Sequence, residues 1–82
     1  MEVIITPKAQ KQYNRLPKID QTKVKKKLFI LEENAMEGKK LTGELEELRS
    51  LRAWPYRNIY YIDQKQKKIF VVNIAHRQGV YK

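Results

Sequence analysis

The chain is predicted to be an α+β domain of order βααβββ, an N-terminal strand and a helical hairpin packed on one face of an antiparallel sheet. Three observations predict it. From residue 7 to residue 35 apolar residues recur at helical spacing, whereas from Leu48 to Arg77 they alternate and are rich in β-branched and aromatic types. The last three extended stretches are joined by connections too short for anything but antiparallel neighbours. No linker, repeat or low-complexity run divides the 82 residues, so residues 1–82 form one domain around one small core.

The elements follow in order. Val3 and Ile5 alternate with Glu2 and Ile4 in a short first strand. Thr6-Pro7 starts a helix, because threonine caps and proline lacks only an N–H that would be unpaired there anyway. Ala9, Tyr13 and Leu16 fall on one face of that helix, which ends before Pro17. Ile19-Asp20 opens a second helix, with Asp20 as the cap and Ile19 stapled onto Val24. Val24, Leu28, Leu31 and Ala35 carry its apolar period and Gly38 is its stop. The lysines at 23 and 25–27 read as a solvated face. Gly38 to Glu47 is a connector whose acids, Glu44, Glu46 and Glu47, have no metal-ligand spacing. Strands are expected at Leu48–Ala53, Arg57–Asp63 and Lys68–Arg77, joined by Trp54-Pro55 and by residues 63–67.

Composition narrows the function classes. Eighteen Lys and Arg against nine Asp and Glu leave a net charge of +9, and the strong positive field of so small a domain favours a nucleic-acid partner. The lack of cysteine excludes disulfides and thiolate metal sites, the single histidine excludes a His-rich one, and both fit a reducing, cytoplasmic setting. The N-terminus is not expected to be a signal peptide, and no apolar stretch approaches a membrane span.

Side-chain parity places the chemistry. On the last strand Phe70, Val72, Ile74 and His76 are expected to face the helices, leaving Val71, Asn73, Ala75 and Arg77 on the free face. On the middle strand Tyr56, Asn58, Tyr60 and Ile62 point to the core and Arg57 points away. Asn58 on the buried parity then needs a partner. Leu51 and Ala53 are core-facing, so Arg52, Ser50 and Leu48 lie on the free face and Arg49 must snorkel at a sheet edge. The free face thus gathers Arg52, Arg57 and Arg77, with Tyr81 and Lys82 arriving from the tail. Guanidinium forks match phosphate oxygens, and Asp63 is the single acid in these strands. Trp54 reads equally as a base-stacking ring or a cover for the sheet edge. His76, sharing parity with Ile74, reads as structural.

Leu41-x-Gly43, Leu51-Arg52, Pro55-Tyr56-Arg57-x-Ile59-Tyr60 and His76-Arg77-x-x-Val80-Tyr81, at this chain length and element order, resemble the RelE/ParE superfamily of toxin–antitoxin toxins, above all its RelE-like branch. The resemblance implies an endoribonuclease that enters the ribosomal A site and cleaves messenger RNA without metal or cofactor, by attack of the ribose 2′-hydroxyl on the adjacent phosphorus. It implies catalytic roles for Arg57, Arg77 and Tyr81 and RNA-binding roles for Arg52, Arg49, Lys82 and Trp54. It also implies a RelB-like antitoxin as partner, with operator DNA bound only through that antitoxin. Leu48 and Ser50 depart from the branch, which places lysines there. Two other readings stand beside it. One is a ParE-like gyrase inhibitor without nuclease activity, although such relatives usually lack the His76-Arg77-x-x-Val80-Tyr81 tail. The other is a degenerate toxin that only binds antitoxin or RNA.

Overall fold

A computed structural model describes residues 1–41 and 47–76. Its elements are β1 (Glu2–Ile5), α1 (Pro7–Asn14), α2 (Lys18–Glu33), β2 (Lys39–Lys40), β3 (Arg49–Ala53), β4 (Tyr56–Asp63) and β5 (Lys68–His76). The strands form one sheet in the order β1-β5-β4-β3-β2. The meander is antiparallel as expected, while β1 runs parallel to β5 and makes the sheet mixed. The connector contributes one unforeseen strand, β2, on the far edge.

Both helices cover one face of the sheet. Ala9, Val24, Leu28 and Leu31 from the helices meet Leu51, Ala53, Tyr60, Ile69, Val71 and Ile74 from the strands. Burying each large side chain stabilises the fold by roughly 1.5–3 kcal/mol, so this one cluster holds the layers together. The helix ends differ from expectation in instructive ways. Thr6 makes no side-chain cap; its hydroxyl and its N–H both donate to the Val71 carbonyl, tying the β1–α1 turn to β5. Helix α2 begins at Lys18, two residues before the expected cap. Asp20 therefore lies in the first turn, where it accepts from the Tyr56 hydroxyl and sits 3.9 Å from Lys23. Ile19 is 69% exposed, so the expected staple onto Val24 is absent.

The inner strand β5 departs from simple alternation. Its register with β4 slips between Ile59 and Tyr60, pairing Ile59 with Asn73 and Tyr60 with Val71. Val72 is the extra residue of a β-bulge, and a bulge flips parity. Ile69 and Val71 therefore join Ile74 in the core, and Phe70 turns to the opposite face, the reverse of the expectation for Val71 and Phe70. Where β1 ends beside Val71, α1 continues the edge. Gln12 accepts from the Ile74 N–H at 2.7 Å and donates to the Asn73 side chain at 2.6 Å.

Gly38 does not stop a helix, since α2 already ends at Glu33. It lies against Tyr60. The Gly38 N–H donates to the Tyr60 hydroxyl, which donates onward to the Ala35 carbonyl, and the Arg49 guanidinium donates to the Gly38 carbonyl. A Cβ on Gly38 would overlap the Tyr60 hydroxyl and come within 2.6 and 2.8 Å of two ring carbons. Asn58 is fully buried on β4, and among the described residues neither polar atom of its side chain has a hydrogen-bond partner. The partner that its parity demanded is not found among the described residues.

Two outcomes follow from the Tyr60 latch. Gly38→Ala is expected to cost roughly 1–3 kcal/mol by overpacking, read from urea midpoints. Pairing it with Tyr60→Phe should cost less than the sum, because that change removes the closest atom. Additive losses would show that the Gly38–Tyr60 contact does not limit the site. Burial is the main cause holding the Tyr60 hydroxyl above the usual phenol pKa near 10, against the opposing pull of the Gly38 N–H and Arg49. The folded state thus keeps this proton longer than the unfolded chain does. That stabilisation is complete below pH 10 and is lost as pH rises through the folded value. Urea midpoints should fall above about pH 10, and less steeply in Tyr60→Phe.

Candidate functional site

The β3–β4 hairpin is the scaffold of the site. Its short Trp54-Pro55 connection, whose peptide bond is cis, aligns Ala53 with Tyr56, Arg52 with Arg57 and Leu51 with Asn58. Ala53 and Leu51 are buried under the helices, so strand alternation sends Arg52 and Arg57 to the other face, directly opposite each other. On its other flank Arg57 pairs with Ala75 of β5, whose methyl leaves the guanidinium uncrowded. Arg52 is exposed and Arg57 half-buried.

Opposed cross-strand residues have Cβ atoms about 5 Å apart, and like charges there are destabilising. Between long, partly exposed side chains that repulsion is about 1 kcal/mol or less. Among the described residues no carboxylate offsets it. Asp63 is taken up by its own turn, accepting from the Lys65 and Gln66 N–H groups and the Gln66 amide. Glu2 lies with Lys68 at 3.9 Å, and Asp20 serves Lys23 and Tyr56. The contact that Arg52 does make is with Trp54, its guanidinium 5.9 Å from the ring centroid. An exposed contact of that kind contributes only about 0.5–1 kcal/mol. The arrangement is a two-pronged, positively charged surface beside a ring that is 54% exposed, suited to a phosphodiester with a base nearby.

Of the residues singled out by sequence, the hairpin brings Arg52, Arg57 and Trp54 together. Arg49 is placed apart, on the helix side, where its parity put it, and it meets the Gly38 carbonyl at 3.0 Å. Arg77, Tyr81 and Lys82 lie outside the described residues. His76 is opposite Tyr56, its ring edge-on at 5.8 Å and 84°. That contact suits a structural role. Burial, with Asp20 in second place, raises the Tyr56 pKa above the usual phenol value near 10. Ser50, at one of the two departing positions, is 5% exposed, and its hydroxyl has no partner among the described residues.

Two features of this face were missed. Ile59, expected on the open face, is only 4% exposed. Tyr61 and Phe70 form a stacked pair on it, with centroids 5.3 Å apart and planes 20° from parallel. The bulge that turns Phe70 outward carries no glycine or other local signal in Val71-Val72-Asn73, so alternation alone could not reveal it. Among the described residues no three His, Cys, Asp or Glu side chains come together in a way that would hold a metal ion. No helix among them is long and apolar enough to cross a membrane.

Comparison with known proteins places this geometry. No match was found among curated proteins. Among solved structures the chain is similar to the RelBE2 toxin–antitoxin complex of Mycobacterium tuberculosis, at 28% identity and a TM-score of 0.84 over 93% of this chain and 96% of that one. It is 26% identical to the archaeal RelE–RelB complex of Pyrococcus horikoshii, with a TM-score of 0.76 over 96% and 97% of the two chains. It is also 26% identical to the isolated E. coli RelE toxin, with a TM-score of 0.77 over 98% and 89%. Residues 3–81, nearly the whole chain, match the family described as the ParE toxin of the type II toxin–antitoxin system parDE. The βααβββ chain with its opposed arginines therefore belongs to the ParE toxin family, and is a type II toxin of the RelE/ParE superfamily.

Proposed function

We propose that this toxin is a ribosome-dependent mRNA endoribonuclease whose Arg52 and Arg57 grip the phosphate of the message at the point of cleavage. The observation that carries the reading is the pair itself, two guanidiniums held opposite each other with no carboxylate between them among the described residues. In the reaction the ribose 2′-oxygen bonds to the adjacent phosphorus, the bond to the 5′-oxygen breaks, and the products are a 2′,3′-cyclic phosphate and a 5′-hydroxyl. Negative charge builds on the phosphorane oxygens. Preorganised guanidinium donors stabilise that charge more than they stabilise the ground-state diester. Arg77 adds a third cation and Tyr81 assists by base stacking or proton transfer, with Lys82 and Trp54 holding the flanking RNA. The solved relatives crystallised with RelB support a RelB-like antitoxin as the physiological partner. An acidic segment laid over the arginines would silence them, and operator DNA would be reached only through it.

A second reading, inhibition of DNA gyrase, is favoured by the ParE description of the matching family. The two separate cleanly in a reconstituted translation reaction with primer-extension mapping. The nuclease reading expects discrete cuts within the translated message. Arg57→Ala and Arg77→Ala should each slow them by about 10²-fold or more, the usual loss when one donor to a developing oxyanion is removed. Arg52→Ala should slow them less, since Arg52 is more exposed. Messages left intact while DNA breaks accumulate, or variants that cut like the parent, would overturn the reading.

A further inference from the structure

Strand β4 outruns β3. Its pairing with β3 stops at Arg49–Tyr60, while its pairing with β5 continues to Asp63–Lys68. The gap left beyond the end of β3 is a cavity of about 520 Å³, lined among others by Lys40, Glu47, Arg49, Tyr61 and Gln64. Apolar Met36, after α2, and Ile62, on β4, complete the lining, and Gln64 comes from the turn that follows β4. Phe70, on β5, stacks against Tyr61. Tyr61 is thus supported by an aromatic neighbour and also lines a cavity whose cations are Arg49 and Lys40. Arg49 spends one N–H on the Gly38 carbonyl and has further donors.

A π-surface beside two cations, with a carboxylate and an amide for hydrogen bonds, is the chemistry of a nucleotide site. We propose that this cavity is a second RNA subsite, separate from the arginine pair, in which a base of the single-stranded substrate stacks on Tyr61 and its phosphate meets Lys40 and Arg49. The proposal rests on the nuclease reading above and extends it. Arg57 and Tyr61 are four strand steps apart, roughly 13 Å, a span that a few nucleotides of single strand bridge. Glu47 and Gln64 are placed to meet base edges, Glu47 as an acceptor for exocyclic amino groups. The domain's net charge of +9 draws an anionic strand to the whole of this surface.

The test uses the full chain and a short fluorescein-labelled oligoadenylate, with affinities from anisotropy. Tyr61→Leu should weaken binding about tenfold and Tyr61→Phe about twofold or less, since one stacked base is worth a factor of this order. Lys40→Ala, on an exposed edge strand, should reduce the slope of log affinity against log salt by about 0.7, as expected for one lost phosphate contact to a single strand. Thermal melts of Tyr61→Leu confirm that it folds, and Lys40→Ala stands as the independent variant. Parent-like RNA affinity in Tyr61→Leu, with Arg57→Ala still impaired, would overturn the subsite alone. Absence of RNA binding by the parent would overturn the subsite, whereas the ribosome-dependent nuclease reading stands or falls on the primer-extension cuts in the translation reaction. Weakened antitoxin binding with unchanged RNA binding would assign the cavity to the antitoxin and overturn the subsite.

Discussion

The structure is organised around an unfavourable interaction, the opposition of Arg52 and Arg57 across two hydrogen-bonded strands. Folding alone gains nothing from setting two positive groups in register on a rigid surface. The cost is modest, about 1 kcal/mol or less, and no carboxylate among the described residues offsets it. An anionic ligand removes the cost, and its binding is strengthened by the fact that the cations are already in place. Preorganisation of this kind transfers the work of bringing charges together from the binding step to the folding step.

What holds the arginines in place lies on the other face of the same two strands. Leu51 and Ala53 of β3 anchor that strand to the helices, and Tyr60 does the same for β4. The Tyr60 hydroxyl then binds the backbone at Ala35 and Gly38, fastening the end of the helical layer to the sheet. Arg49 closes the same latch from β3, which explains why this arginine does not join the other two. Gln12 and Thr6 fasten the opposite edge by satisfying β5 where β1 runs out. The arginine-bearing face is thus supported from behind by a polar frame around an apolar centre, an arrangement that keeps strand positions fixed while the outward side chains stay available.

Much of this was legible in the sequence, for physical reasons that can be named. Strand alternation with a known core residue decides the direction of every neighbour, so Leu51 and Ala53 were sufficient to place Arg52 and Arg49 on opposite faces. The short turn at Trp54-Pro55 forced β3 and β4 to be antiparallel partners and brought Arg57 to Arg52. The same rule failed on β5, because a single unpaired residue, Val72, reverses alternation and has no signature in a run of apolar side chains. The fate of Phe70 and its stack on Tyr61 were hidden behind that one bulge. The helix ends failed for another reason: Thr6 and Asp20 were assigned local caps, and both found stronger partners far away in sequence, the Val71 carbonyl and the Tyr56 hydroxyl. Asn58 was recognised as discordant and remains so, a buried amide without a partner among the described residues on the strand that carries Arg57.

The most direct measurement of the central claim is the melting temperature of Arg52→Gln, Arg57→Gln and the double variant at low and at high ionic strength. Screening at about 1 M salt shrinks the Debye length to about 3 Å and removes most of the repulsion between exposed groups. The account predicts that either substitution raises the melting temperature at low salt, that the second adds little to the first, and that the gain fades at high salt. A lower melting temperature for both single variants at every salt concentration would contradict it, because the arginines would then be stabilising the fold rather than waiting for an anion.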